Sequence, residues 1–342
     1  MTGKLNWGIM TTGWIARKFV TDLRQSRTGR LAAVGARQLA DAGKFAADFG
    51  GARAHGSYAA LLADPEVQAV YIGTPHPGHK EWALRAIAAG KHVLCEKPLT
   101  LNLADTQSLI DAARAKGVLL MEAYMYRCHP QTLKLAELVR SGAIGDLRLI
   151  RASFNVFREF DPEHRIFKRA LGGGAILDLG CYPVSFSRLI AGAGQGKPFA
   201  QPVEFHATGR LHPLTQTDDY GAAVVKYPGE VIAEISCGST VLPDISARIY
   251  GSKGWLDVPT PFFPGLEGKT DRFFLHRHGA GAPEEFTFPV SMGLYAYEAD
   301  AVAEAITRGE REVSQMTWAD TIGNTTMLDA WLAAVGVNYD GV

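Results

Sequence analysis

The sequence predicts an α/β protein: an N-terminal doubly wound parallel sheet of Rossmann type, then an α+β domain with a large, open, mostly antiparallel sheet. Three observations predict it. From Leu5 to about Met121 short buried-strand patterns alternate with apolar residues at helical spacing, as βαβ units require. A glycine-containing turn follows the first of those strands, where an open α/β sheet binds nucleotides. Beyond Ile190 strands joined by tight turns take over, which signals antiparallel pairing.

The length of 342 residues suits two domains. Hydrophobic residues at 47% and charged residues at 20% describe a soluble globular protein. Lys plus Arg equals Asp plus Glu at 35 each, so no global field attracts nucleic acid or an anionic membrane. No apolar run approaches the ~18 residues of a membrane span. Met1-Thr2-Gly3-Lys4 leads straight into the first strand without the apolar core of a secretory leader. Cys95, Cys128, Cys181 and Cys237 are scattered without paired spacing, which fits reduced thiols and a cytoplasmic location.

In chain order, strands are expected at Leu5–Met10, Leu31–Ala36, Ala69–Ile72, His92–Cys95 and Val118–Met121. Helices are expected at Ile15–Arg24, Leu39–Phe49, Glu81–Ala89 and Ala104–Lys116. Gly50-Gly51, Gly90 and Gly117 close helices, and Asn102 or Asp105 opens one. In the second half, strands are expected at Val203–Leu211, Tyr220–Lys226, Val231–Cys237, Ile245–Tyr250, Phe273–His276 and Glu285–Phe288. Helices return at Tyr297–Arg308 and Trp318–Val335, and Gly192–Gly196 and Pro259–Gly268 read as loops.

The first strand-to-helix turn runs through Thr11, Thr12, Gly13, Trp14, Ile15 and Ala16. A dinucleotide fingerprint wants Gly-x-Gly-x-x-Gly/Ala, and Gly13 and Ala16 fill its last two places while Thr11 stands in the first. Gly13 lets the backbone approach a pyrophosphate, and the helix N-terminus offers it free N–H groups. At the end of the second strand, where a carboxylate would hold a ribose 2′-hydroxyl, the chain reads Ala36-Arg37-Gln38. Arg37 can pair with a 2′-phosphate, which favours NADP with NAD still possible; alternatively it begins a solvated helix. The third strand ends in Thr74-Pro75-His76-Pro77-Gly78-His79, a stiff loop placed to lie along a nicotinamide ribose. His76 and His79 lack a third ligand at matching spacing, so no metal is expected. Glu96-Lys97-Pro98 closes the fourth strand and aims Lys97 at the same carboxyl edge, though a lysine before a proline is often a solvated loop residue.

In the second half Gly172-Gly173-Gly174 makes a backbone able to run close under a ligand. Asp178 and Tyr182 then share a helical face one turn apart. Asp178 is otherwise a helix cap and Tyr182 a core aromatic. Arg158, His164, Arg165 and Lys168 form a basic cluster, either a solvated face or a cleft lining. Tyr295, Tyr297 and Arg127 are candidate cleft residues or packing.

The degenerate glycine turn, Thr74–His79 and Glu96-Lys97-Pro98 together resemble the Gfo/Idh/MocA family of NAD(P)-dependent oxidoreductases. Met121–Pro130 and Gly172–Tyr182 extend the likeness to nearly the whole chain. The resemblance implies a dinucleotide-binding domain at 1–124 and a substrate and dimerisation domain at 125–342, whose last helix can return to the first. It implies cofactor contacts from Thr11, Thr12, Gly13, Trp14, Ile15, Arg37, Thr74, Pro75, His76, His79, Glu96, Lys97 and Arg127. Many members carry asparagine where His76 stands. Inositol dehydrogenase-like members carry histidine where Tyr182 stands; tyrosine is typical of the glucose–fructose oxidoreductase, dihydrodiol dehydrogenase and NADP-dependent xylose dehydrogenase branch. The partners implied are a sugar or cyclic polyol and a second subunit, as a homodimer or higher oligomer.

Hydride transfer at a carbinol needs a group to move the hydroxyl proton and a positive charge near the oxygen. Tyrosine ionises near 10 unaided, and a lysine within ~4–6 Å favours the phenolate. Tyr182 is therefore the expected acid/base, Lys97 its electrostatic partner, and Asp178 a group that binds a neighbouring hydroxyl or orients Lys97. Two other readings stand: an NADPH-binding sensor or scaffold without turnover, and a reductase of a ketosugar or imine.

Overall fold

The computed structural model describes residues 3–266 and 269–342; Met1, Thr2 and the Glu267-Gly268 end of the Pro259–Gly268 loop lie outside the described residues. The chain forms two compact units, residues 1–128 with 291–322, and residues 129–290 with 323–342.

The first unit holds strands β1 (Leu5–Met10), β2 (Gly29–Gly35), β3 (Arg53–His55), β4 (Ala69–Ile72), β5 (His92–Glu96) and β6 (Leu120–Ala123). All pair in parallel, in the order β3-β2-β1-β4-β5-β6. Helices α1 (Trp14–Leu23), α2 (Leu39–Asp48), α3 (Tyr58–Ala63), α4 (Gly78–Ala88) and α5 (Leu103–Lys116) supply the crossovers. The central strands are wholly buried, Val70, Ile72, Val93 and Cys95 among them, which is why they read as short unbroken apolar runs. Asn102 caps α5 by accepting the Asp105 N–H at 2.9 Å, and Gly117 closes it in the left-handed region. The short β3 and α3 were not expected, because Arg53-Ala54-His55 carries no apolar pattern. The last strand lies two residues later than expected, at Leu120–Ala123.

In the second unit α6 (Pro130–Arg140) and α7 (Cys181–Ala193) accompany β7 (Leu147–Phe157), β8 (Glu204–Leu211), β9 (Asp218–Tyr227), β10 (Val231–Gly238), β11 (Thr240–Gly251), β12 (Gly254–Val258), β13 (Asp271–Arg277) and β14 (Glu284–Phe288). The sheet order is β14-β13-β12-β11-β7-β10-β9-β8. β7 and β10 are parallel and the remaining neighbours antiparallel. β7, β12 and α6 escaped the sequence reading; in β7 the exposed Arg148 and Arg151 interrupt the apolar pattern. Strict alternation marks a sheet with one covered face. Ala223, Val225, Ala233 and Ile235 point inward, whereas Val224 at 50% and Ile232 at 42% exposure point out. Trp255 stacks on His276 across β12 and β13, centroids 3.8 Å apart.

Helix α8 (Leu294–Thr307) belongs to the first unit, and α9 (Trp318–Val335) begins there and continues in the second. Asp300 of α8 accepts hydrogen bonds from the Ser26 and Thr28 hydroxyls, each at 2.5 Å, and so fixes the α1–β2 loop. Trp331 of α9 donates its indole N–H to the Thr208 carbonyl at 3.2 Å. Among the described residues no helix is long and apolar enough to cross a membrane.

The short β3–α3 connection is held electrostatically. Arg53 donates to both oxygens of Asp64, at 2.8 and 3.1 Å, and the Glu66 N–H and His55 ring reach the same carboxylate. Burial works to raise the Asp64 pKa, but Arg53, the Glu66 N–H and His55 outweigh it and hold it at about 2. A depressed acid contributes stability above its unfolded value that is lost as pH falls through the folded one. We expect Asp64→Asn to be less stable at neutral pH and to lose less on acidification from pH 4 to 2 than the native protein, measured by urea unfolding at each pH.

Candidate active site

At the end of β1 the chain enters the switch point of the first sheet, where strand order reverses and ligands bind. Thr11 adopts φ +90°, a value that disfavours a β-branched residue and explains why a glycine is usual there. Its N–H donates to the Gly35 carbonyl at 3.0 Å and its hydroxyl to the Gly73 carbonyl at 3.3 Å, so both flanking strands hold the turn. A Cβ on Gly13 would meet nothing within 4 Å. The turn is open there rather than packed. Helix α1 begins without a side-chain cap and without an acid in its first turn, leaving its N–H groups for an anion. Thr12 and Ile15 are half-buried beside it, and Trp14 is 74% exposed.

The hydroxyl of Thr74, beyond β4, is buried and has no hydrogen-bond partner among the described residues. A buried orphan hydroxyl at this edge fits a bound nucleotide. Pro75 is exposed and His76 buried. Arg37 is exposed two residues beyond β2; burial raises the pKa of Tyr58, and the nearby Arg37 charge opposes that rise. These residues fit a dinucleotide with its phosphates on α1.

His79 has a structural task. Its ring nitrogens lie 2.9 Å from the Pro98 carbonyl and 2.8 Å from the Thr74 carbonyl, riveting the loop after β4 to the turn after β5. Burial lowers its pKa, and the Lys97 charge adds to that against the pull of the carbonyls. A backbone carbonyl lies against each ring nitrogen, so neither is open to a metal. No cluster of three or more potential metal-binding side chains occurs among the described residues.

Lys97 is half-buried at the carboxyl end of β5, and the Lys97–Pro98 peptide is cis. Its neighbour Glu96 accepts the Tyr71 hydroxyl at 2.5 Å, while Glu122 of β6 accepts the Leu99 N–H at 2.9 Å. The lysine is therefore held between two clamped residues. Arg127 is buried, its Nη2 donating to Asp320 at 2.5 Å; its charge is committed to an interior ion pair. Tyr295 is also buried, its N–H on Asp22 at 3.1 Å, and Tyr297 shares a hydrogen bond with Ser291 at 2.8 Å.

In the second unit, residues 176–180 form a single π-turn that runs into α7. Asp178 lies within that turn, so it is not a helix cap. It is buried and accepts from Arg165 Nη2 at 2.8 Å. Tyr182, only 4% exposed, has its ring among Phe154, Phe262 and Phe263, with centroids 5.2 to 5.7 Å away. Lys168 pairs with Glu163 at 2.5 Å and Arg158 is exposed. Sequence reasoning missed two anchors of this turn. Asp218 accepts the Ile176 N–H at 2.6 Å, and the Tyr339 hydroxyl donates to the Gly173 carbonyl. Neither stands in a recognisable motif.

A parallel sheet of this strand order, with an uncapped helix N-terminus at its switch point, defines a dinucleotide-binding oxidoreductase scaffold. The chain belongs to the Gfo/Idh/MocA oxidoreductase family. Residues 5–124 match its "Oxidoreductase family, NAD-binding Rossmann fold" and residues 132–257 its "GFO/IDH/MocA C-terminal domain". The chain is 36% identical over 341 residues to mouse trans-1,2-dihydrobenzene-1,2-diol dehydrogenase and 34% identical over 341 residues to the human protein, covering 98% of each chain in both cases. Among solved structures it resembles KijD10, a 3-ketoreductase from Actinomadura kijaniata bound to NADP and TDP-benzene. The TM-score is 0.84 with 29% identity, over 97% of this chain and 98% of that one. It shares its fold with the aldose-aldose oxidoreductase of Caulobacter crescentus, at TM-score 0.86 and 24% identity over 97% of this chain and 98% of that one.

Thr11 yields a test of the turn. Replacing a strained residue by glycine relieves roughly 1 kcal/mol or more, against the loss of one long hydroxyl hydrogen bond. Thr11→Gly is expected to raise unfolding free energy by about 0.5 kcal/mol in the absence of cofactor. A loss above 1 kcal/mol in urea titration would show that the hydroxyl outweighs the strain.

Proposed function

We propose that this protein interconverts a carbinol and a carbonyl on a sugar or related cyclic diol with NADP(H). The observation that carries the proposal is Tyr182, a buried tyrosine one turn after a buried carboxylate, in a chain more than a third identical to a dihydrodiol dehydrogenase over nearly its full length. Residues 1–128 hold the cofactor and the second unit supplies the substrate groups. Arg37, with no carboxylate beside it at the end of β2, favours the 2′-phosphate of NADP over NAD. Thr11, Thr12, Gly13, Trp14 and Ile15 take the pyrophosphate; Thr74, Pro75, His76 and Glu96 face the ribose. His79 and Arg127 act behind them by holding the loop and the interior.

NADP, when bound, accepts or returns the hydride. Tyr182 takes the hydroxyl proton during oxidation and gives it back during reduction. Lys97 supplies the positive charge that favours the phenolate and the developing alkoxide. Asp178, paired with Arg165, accepts a hydrogen bond from a neighbouring substrate hydroxyl. The apolar box of three phenylalanines excludes water from the tyrosine ring. A ketosugar reductase runs the same site in reverse, a direction supported by the likeness to the 3-ketoreductase.

The test is nicotinamide absorbance with cyclic trans-diols, aldoses, inositols and ketosugars, offering NADP and NAD in parallel. We expect turnover with one class and NADP, and losses of about 10²–10⁴ in kcat for Tyr182→Phe and Lys97→Ala. Tight NADPH binding without turnover on any member of the panel would favour the sensor reading.

The outer face of the second sheet pairs with a second copy in this proposal. It carries a concavity of about 750 Å³ lined by Arg151, Ser153, Glu234 and Ser246. Two of its arginines are matched within the face, Arg151 to Glu234 at 2.6 Å and Arg248 to Asp257 at 3.1 Å, which limits repulsion between like surfaces. The exposed Val224 and Ile232 add apolar area. Four buried free thiols accord with a cytoplasmic location. Sedimentation should give a dimer for the native chain and a monomer for Val224→Asp/Ile232→Asp; a native monomer at micromolar concentration would exclude the pairing.

A further inference from the structure

The turn that delivers Asp178 and Tyr182 is fixed from a position remote in sequence. Gly174, at φ +123°, has no side chain because a Cβ there would lie 2.4 Å from Asp218 Oδ1 and 2.8 Å from the Tyr339 hydroxyl. Asp218, the first residue of β9, is fully buried. Its Oδ2 accepts the N–H of Ile176, the first residue of the π-turn, at 2.6 Å. Its Oδ1 is buried with no hydrogen-bond partner among the described residues. From the other side the Gly174 N–H donates to the Ile166 carbonyl at 2.7 Å. One carboxyl group thus sits against the entry of the segment that carries both second-unit candidates.

We propose that Asp218 is a positioning residue: through the Ile176 N–H its carboxylate sets the turn that aims Asp178 and Tyr182, and turnover follows its ionisation. The proposal rests on the reading of Tyr182 as the acid/base. An ionised carboxylate accepts an N–H roughly twice as strongly as a neutral acid, so the turn is held best when Asp218 is charged. Burial, opposed by the N–H groups of Ile176, Asp218 and Ala175 and aided by the charge of Asp219, pushes its pKa up to about 7.

Charged and titratable groups face Asp218 from its own strand, from β10 and from the C-terminal residues. Asp219, on the same strand, is paired with Arg210 of β8 at 2.5 Å. The Cys237 thiol of β10 is driven up by burial, with Asp218 and Cys181 adding to the effect. Burial and the Asp218 charge also raise the Tyr339 phenol, against the pull of Arg169. The consequences for activity and stability have opposite signs. An acid whose folded pKa is raised contributes stability that is complete below its unfolded value and is lost as pH rises through about 7. Turnover should rise over the window in which this contribution to stability falls.

The experiment measures kcat, KM for NADP and unfolding free energy from pH 5.5 to 8.5 for the native protein, Asp218→Asn and Tyr182→Phe. Asp218→Asn is expected to lose about tenfold in kcat at pH 8, to change little at pH 5.5, to lack the inflection near 7, and to keep its KM for NADP. Its stability should no longer fall through pH 7. Amide exchange at Ile176 in the native protein, corrected for intrinsic rate, should slow as pH passes 7; this reading survives if the variant does not fold. A native kcat profile in Asp218→Asn, with Tyr182→Phe inactive, would overturn the positioning role alone. Full turnover in Tyr182→Phe would overturn the acid/base reading while the Ile176 exchange still reports on the anchor.

Discussion

Strand β7 is hydrogen-bonded on both sides, parallel to β10 and antiparallel to β11, and the second unit takes its order from that double ladder. The register sets Ile150, Ala152 and Phe154 on the covered face and Arg151 and Ser153 on the other. Phe154 then stands 5.2 Å from Tyr182 and 5.5 Å from Phe262. Because side chains alternate in a strand, slipping by one residue would send Phe154 outward and bring arginine in. The environment of the candidate tyrosine therefore depends on backbone pairing fixed some thirty residues earlier in the chain.

The first unit shows a second constraint, the burial of acids. Glu298 on α8 has both carboxylate oxygens buried without partners among the described residues. Burial drives its pKa far up, and the charges of Glu96 and Asp22 add to that. A neutral Glu298 costs far less in that interior than a third charge would. Glu96, close by, accepts the Tyr71 hydroxyl at 2.5 Å.

Much of this was legible in the sequence. The parallel sheet announced itself because its strands are buried on both faces and stay purely apolar. β7 did not, since a strand with one exposed face mixes arginines into its pattern. The glycine turn, Lys97 and the Asp178–Tyr182 pair could be read because each sits in a local motif. Asp218 and Tyr339 could not, since their roles arise from contacts with residues 42 and 166 positions away. The same limit applies to Arg127 and His79. Their residue types suggested ligands, but Asp320 and the Thr74 and Pro98 carbonyls, which occupy them, are visible only in the fold.

Thr11 has an implication for affinity that differs in sign from its cost to the fold. A threonine held at φ +90° by the Gly35 and Gly73 carbonyls leaves the nucleotide turn few other shapes to visit. Glycine at the same place would let the empty turn sample many. A ligand binding the threonine turn has less backbone disorder to remove, so less of its interaction energy is spent on ordering the loop. In this chain the awkward dihedral is pre-organisation. A relaxed glycine turn would make a steadier empty protein and a weaker grip on the pyrophosphate.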